Sequence, residues 1–217
     1  MLAIGMLLAL AALFAVGIRR LALGYPARPG LRALARHEAA LIGAAAEAVF
    51  PPGGAVEPSG EEAGIVPWTD RYLGELPAAP RRLMRLLFLL VEHATLVFPA
   101  PGPRGRRRFS ALEVESRQAV LDGWRTSRLF PRRLVFTSLR AILTMGYFAD
   151  PRVLRELDLA PRAIRTPVRE ADLLYPPVGR GPEAVRHRPG DVDWTGETRP
   201  LGPDAPVHPD FAPEAGR

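Results

Sequence analysis

Residues 81–98 read RRLMRLLFLLVEHATLVF, and the part from Leu83 to Val91 is almost continuously apolar. A helix that is apolar around its whole circumference belongs in a membrane or in the middle of a protein core. Arg81, Arg82, Arg85, Glu92 and His93 leave too short an uncharged run for a span of about 20 residues. The stretch therefore predicts a central helix, buried on all sides, in an all-α bundle. Helical spacing extends on both sides of it. In residues 31–49, Leu31, Leu34, Ala35, Leu41, Ile42, Ala45 and Val49 fall on one face, and Pro51-Pro52 stops that helix. Trp68, Tyr72, Leu73 and Leu76 fit one face of a short helix starting near Pro67.

Beyond the loop PAPGPRGRRR, Ser110 with Glu113 reads as a capping box opening a helix with Leu112, Val120, Leu121 and Trp124. Pro131 suits the first turn of a helix over 131–147, with Gly146 near its end. Asp150-Pro151 gives an N-cap and a first-turn proline for a short helix through Leu157. No β alternation of useful length appears, so residues 30–160 are expected to form a small helical bundle that packs helix on helix.

Two appendages flank this domain. From Met1 to Ile18 no charged side chain occurs, and Arg19 and Arg20 follow directly. Nothing basic precedes the run, which separates it from a cleavable signal peptide. Residues 1–23 are thus expected to form a transmembrane helix, with Leu2, Ile4, Leu7, Leu10, Leu13, Phe14 and Ile18 in the bilayer and Arg19 and Arg20 at its edge. A cleaved signal and a buried helix are the competing readings. Positive-inside reasoning places the following domain on the cytoplasmic side of the inner membrane as a single-pass protein, the periplasmic side staying open. Residues 161–217 hold 11 of the 24 prolines, with eight arginines against nine acidic residues. This predicts an irregular Pro-rich tail, either disordered or draped over something else, with Tyr175, Trp194 and Phe211 as anchors.

The chemistry is defined mainly by exclusion. The 217 residues include no cysteine, so disulfides, thiol nucleophiles and c-type haem attachment are excluded. There is no lysine, which removes the P-loop, and neither G-x-G-x-x-G after a strand nor G-x-S-x-G is present. His37, His93, His187 and His208 lack the spacing of metal ligands. No catalytic, cofactor-binding or metal-binding residue is assigned. An enzymatic reading would need a polar pocket joining Glu92, His93 and a second carboxylate such as Asp122. The net charge of +6 does not mark a nucleic-acid binder, because the basic residues do not alternate with exposed aromatics. The excess is local: residues 81–108 carry seven arginines against one glutamate. Arg104, Arg106, Arg107 and Arg108 form a basic loop suited to anionic lipid or an acidic partner surface. Trp68, Tyr72, Trp124, Phe130, Tyr147 and Trp194 are the candidate partner contacts, although most of the helical ones are expected to serve the core.

Six short signatures point to a known family. They are EAALIGAAAEAVFPP (38–52), EAGIVPWTDRYL (62–73), LLFLLVEH (86–93), FSAL (109–112), WRTSR (124–128) and MGYFADP (145–151). Together they resemble the gluconate 2-dehydrogenase subunit 3 family, and also the small helical region preceding the flavin domain of long-chain alcohol oxidases. The resemblance covers roughly residues 30–160. It implies a non-catalytic accessory subunit that carries no cofactor itself. Its partner would be a large FAD-dependent oxidoreductase of the glucose–methanol–choline (GMC) type, acting on an alcohol or sugar, which holds the flavin and the catalytic histidine. The small subunit would support maturation, export or membrane placement of the large one. Many family members begin with a twin-arginine export signal, whereas here an apolar stretch stands in that place. A stand-alone membrane-associated scaffold, binding anionic lipid or protein partners, is the alternative.

Overall fold

The computed structural model describes residue 17 and residues 24–162, 168–192, 194 and 206–212. Among these are seven α-helices and no β-strand, in agreement with the all-α expectation. No described helix is long and apolar enough to cross a membrane. The span expected over 1–23 lies outside the described residues, apart from Gly17.

The chain divides into two compact units, 1–158 and 159–217. The first contains α1 (Arg36–Val49), α2 (Ile65–Glu75), α3 (Ala78–Val97), a 3-10 turn (Phe109–Ala111), α4 (Val114–Arg125), α5 (Phe130–Tyr147) and α6 (Pro151–Glu156). The centre is α1, which packs against α2, α3, α4, α5 and the 3-10 turn. Its buried face is built from Ala39, Leu41, Ile42, Ala44, Ala45, Ala46 and Ala48. Small side chains let neighbouring helices approach closely, which is how alanine-rich α1 is contacted by five elements at once.

This corrects the expectation for residues 81–98. Helix α3 is a flanking helix. Only Phe88, Val91, Glu92 and Thr95 are buried, while Leu83, Leu86, Leu89 and Leu90 are exposed. Apolar periodicity shows that a face can be covered, not that the same chain covers it.

Two helix starts also differ from expectation, each because a carboxylate captures the backbone. Residues 31–35 are not helical, because Asp70 accepts the amides of Arg32, Ala33 and Leu34. The Ser110–Glu113 capping box does not form. Glu92 takes both the Ser110 amide and its hydroxyl, Ser110 stays in the 3-10 turn, and α4 begins at Val114. Local signals held elsewhere. Pro131 lies in the first turn of α5, and the Asp150 side chain accepts the Arg152 amide at 2.7 Å to cap α6.

The second unit contains α7 (Ala171–Leu174), 3-10 turns at Pro182–Ala184, Pro189–Asp191 and Pro209–Phe211, and isolated bridges Arg162–Val207 and Val168–Val192. Its described residues are mostly exposed, and each short helix or turn starts at or next to a turn-forming residue.

Candidate interaction surfaces

Three buried carboxylates organise the first unit, and each engages chain that precedes α1. Asp70 on α2 takes the Arg32 amide at 3.1 and 3.0 Å, the Ala33 amide at 2.9 Å and the Leu34 amide at 2.7 Å. Burial alone would raise its carboxyl. The three amide donors and the Arg32 charge outweigh that and hold it below the usual carboxylate range. Glu38 on α1 accepts the Ala35 amide at 2.7 Å and pairs with Arg85 of α3 at 2.9 Å, while Arg85 also donates to the Ala33 carbonyl. Glu92 on α3 accepts from the Tyr25 hydroxyl at 3.0 Å, the Ser110 amide at 3.0 Å and the Ser110 hydroxyl at 2.6 Å. Burial, then the Glu92 charge and hydrogen bond, push the Tyr25 hydroxyl up to about 12, against the opposing pull of Arg108. The Arg108 guanidinium lies 4.0 Å from the centre of the Tyr25 ring.

The three groups an enzymatic reading would use are each bonded elsewhere. Glu92 is fully buried and committed to three donors, His93 bonds the Leu89 carbonyl at 2.9 Å through Nδ1, and Asp122 pairs on the surface with Arg125 at 2.7 Å. The pocket imagined for Glu92, His93 and Asp122 is not built. A polar cavity does lie among Glu57, Glu62, Arg152, Arg155 and Glu156. There Arg152 is bound to Asp150 at 2.7 Å and to the Glu62 carbonyl at 2.6 Å, and the Ser59 hydroxyl and amide hold Glu62 below its ordinary range. Among the described residues, no group of three His, Asp or Glu side chains could hold a metal ion.

One uncovered face is apolar. Leu83, Leu86, Leu90 and Val97 repeat at helical spacing along α3, opposite the buried Phe88, Val91 and Thr95. Between α3 and α5 runs a groove lined by Leu90, Ala94, Phe98, Trp124, Pro131 and Val135, with almost no polar wall. Exposed Phe130 and Leu134 line a second depression on α5, together with Arg125, Arg133, Phe136 and Arg140. The rim of this face is basic. Arg132 stacks on Phe98 at 4.4 Å, Arg133 on Phe130 at 5.9 Å and Arg140 on Phe136 at 5.8 Å. Monomeric proteins seldom leave contiguous apolar surface of this kind uncovered.

The candidate partner contacts separate on this map. Phe130 is exposed beside the groove, and Trp124, though buried, forms part of its floor. Trp68 and Tyr72 stack on each other at 5.1 Å and are half-buried. Tyr147 is a core residue. Its ring stacks on Phe50 at 3.9 Å and its hydroxyl donates to the Pro58 carbonyl at 2.8 Å, so it offers nothing to a partner. Trp194, in the second unit, is 71% exposed. Sequence reading missed Leu83, Leu86, Leu90 and Phe98, because it assigned their helix to the interior.

The basic loop is built firmly. The Thr95 hydroxyl donates to the Arg107 carbonyl at 2.5 Å, the Ala100 amide to the Gly105 carbonyl at 3.1 Å and the Gly105 amide to the Gly102 carbonyl at 3.1 Å. A side chain at position 105 would put its Cβ 1.8 Å from the Ala100 carbonyl oxygen, so only glycine fits. Arg104, Arg106 and Arg107 are exposed and make no ion pair among the described residues.

Compared with known families, residues 36–164 match the family model described as gluconate 2-dehydrogenase subunit 3. No curated protein and no solved structure gave a match.

Proposed function

The chain belongs to the gluconate 2-dehydrogenase subunit 3 family, and from that premise we propose that it is a non-catalytic, membrane-anchored accessory subunit. Its work is to bind, mature or position a large FAD-dependent GMC-type dehydrogenase or oxidase acting on an alcohol or sugar. The observation that carries this reading is the uncovered apolar face of α3 and α5. The family's name is that of one subunit of a dehydrogenase, and a subunit needs a face that water disfavours until its partner arrives. The groove floor at Trp124, the anchors Phe98 and Phe130 and the arginine rim have the composition of an interface core with a polar border. A stable complex would bury on the order of 800 Å² per partner. The arginine rim calls for an acidic border on the large subunit. Residues 1–23, apolar throughout Met1 to Ile18, hold the assembly at the membrane.

The test is purification of the tagged full chain from its host in mild detergent. A flavin-containing oxidoreductase recovered in stoichiometric amount supports the reading, and its loss on Phe98→Asp ties the association to this face. A chain that purifies without any flavoprotein would sink the proposal and favour the stand-alone membrane scaffold, for which the exposed basic loop is the supporting observation.

A further inference from the structure

We propose that the 104–108 loop is an anionic-lipid headgroup site kept within reach of the membrane surface by the clasp on Tyr25. The inference rests on the anchoring part of the function proposed above and is independent of the flavoprotein. Its basis is where the apolar stretch ends. Residues 1–23 carry the membrane-like sequence, and Tyr25, two residues later, is fixed by its bond to the buried Glu92 and by Arg108 over its ring. A Cβ built on Gly24 would lie 3.9 Å from Arg108 Nη2, so the chain enters the unit directly beside the loop.

The tether is short. From Arg20, at the edge of the apolar run, the five residues to Tyr25 reach at most about 17 Å when fully extended. With the apolar run in a bilayer, the loop can reach the headgroups or stand off from them by up to about two Debye lengths, each roughly 8–10 Å at physiological salt, so its charge decides between the two positions. The loop cannot move independently of the unit, since Glu92 holds Ser110, the next residue but one after Arg108, and Thr95 holds the Arg107 carbonyl. Exposed Arg104, Arg106 and Arg107 thus form a cluster of positive charge within reach of that surface. Arg19 and Arg20 at the end of the apolar run add to it in sequence. An acidic protein partner could satisfy the same charges, but only a lipid surface is placed there by the chain's own attachment.

The absence of native cysteine makes the test clean. The full chain carrying Pro103→Cys, labelled there with a fluorophore, is reconstituted into vesicles of phosphatidylcholine alone and of equimolar phosphatidylcholine and phosphatidylglycerol, each with a headgroup-attached quencher. Phosphatidylglycerol should raise the docked-to-undocked ratio about fivefold per arginine, on the order of a hundredfold for three. High salt should reverse that gain. The triple replacement Arg104→Gln, Arg106→Gln, Arg107→Gln should abolish it while leaving retention in phosphatidylcholine vesicles unchanged. Equal quenching in both membranes, or an unaltered response in the triple variant, overturns the proposal. If phosphatidylcholine vesicles do not retain the chain, the anchoring reading fails separately. The loop site then stands only if phosphatidylglycerol vesicles bind the chain with the same arginine dependence, and it falls if they do not.

Discussion

The paired replacement Leu86→Ala and Phe98→Ala tests the apolar face most directly. Leu86 is 58% exposed and Phe98 55% exposed. Fully burying a leucine or phenylalanine side chain stabilises by about 1.5–3 kcal/mol. The exposed fractions available to a partner are therefore worth roughly 1.2 and 1.4 kcal/mol. The two positions are 12 residues apart along α3 and its cap, about 18 Å at the helical rise, so their effects should add. Together they predict a loss of about 2.6 kcal/mol, or close to a hundredfold in dissociation constant. Folding should lose only the fraction already buried, on the order of 1–2 kcal/mol. The assay is titration of the purified large subunit with wild-type and double-variant chain, beside urea unfolding of each chain alone. A dissociation constant within about threefold of wild type, with the helical content unchanged, would show that the partner binds elsewhere.

Three further outcomes follow from named contacts. Asp70→Ala strands three backbone amides, of which Leu34's is fully buried, and should cost about 3 kcal/mol, a fall of roughly 10 °C in Tm. Because the folded carboxyl titrates below its unfolded value near 3.9, that contribution is present above this pH and lost as pH falls through the folded value, so variant and wild type should converge in acid; a gap that persists there contradicts the assignment. Tyr25 has its hydroxyl raised from about 10 to about 12, so its clasp is complete below pH 10 and lost as pH rises through about 12. Tyr25→Phe should remove one late-titrating phenolate from the absorbance curve, and loss of a phenolate titrating near 10 instead would contradict the clasp. Gly105→Ala cannot keep the present loop, and should destabilise by about 1–3 kcal/mol with faster hydrogen exchange at the Ala100 amide; unchanged exchange and stability would refute the tight closure.

The readable parts of this fold are those set by neighbours in sequence. Pro131 and Asp150-Pro151 mark helix starts because a fixed φ and a short acidic side chain act within one turn. The family signatures 38–52 and 62–73 overlap α1 and α2. What escaped reading depends on contacts across many residues. Asp70 reaches back 38 residues to Arg32 and Glu92 reaches 67 to Tyr25, and neither leaves a local pattern. The centre of the bundle was misplaced because leucine-rich α3 looks more buried than alanine-rich α1. Side-chain hydrophobicity favours α3 for the interior, but close packing of many helices around one axis favours small residues. The apolar groove was hidden by the same substitution of roles, while the basic loop could be read from its charges alone.

The carboxylate contacts also bear on where this domain begins. The family match starts at residue 36, at the first turn of α1, yet Tyr25, Arg32, Ala33, Leu34 and Ala35 are all bonded to side chains lying after that point. A chain trimmed to the matched boundary would keep α1 to α6 and lose the donors that Asp70 was buried to receive, along with one donor each for Glu38 and Glu92. The unit of sequence similarity and the unit held together by these bonds are offset by eleven residues, 25 against 36, and a fragment designed on the first would inherit unpaired buried charge from the second.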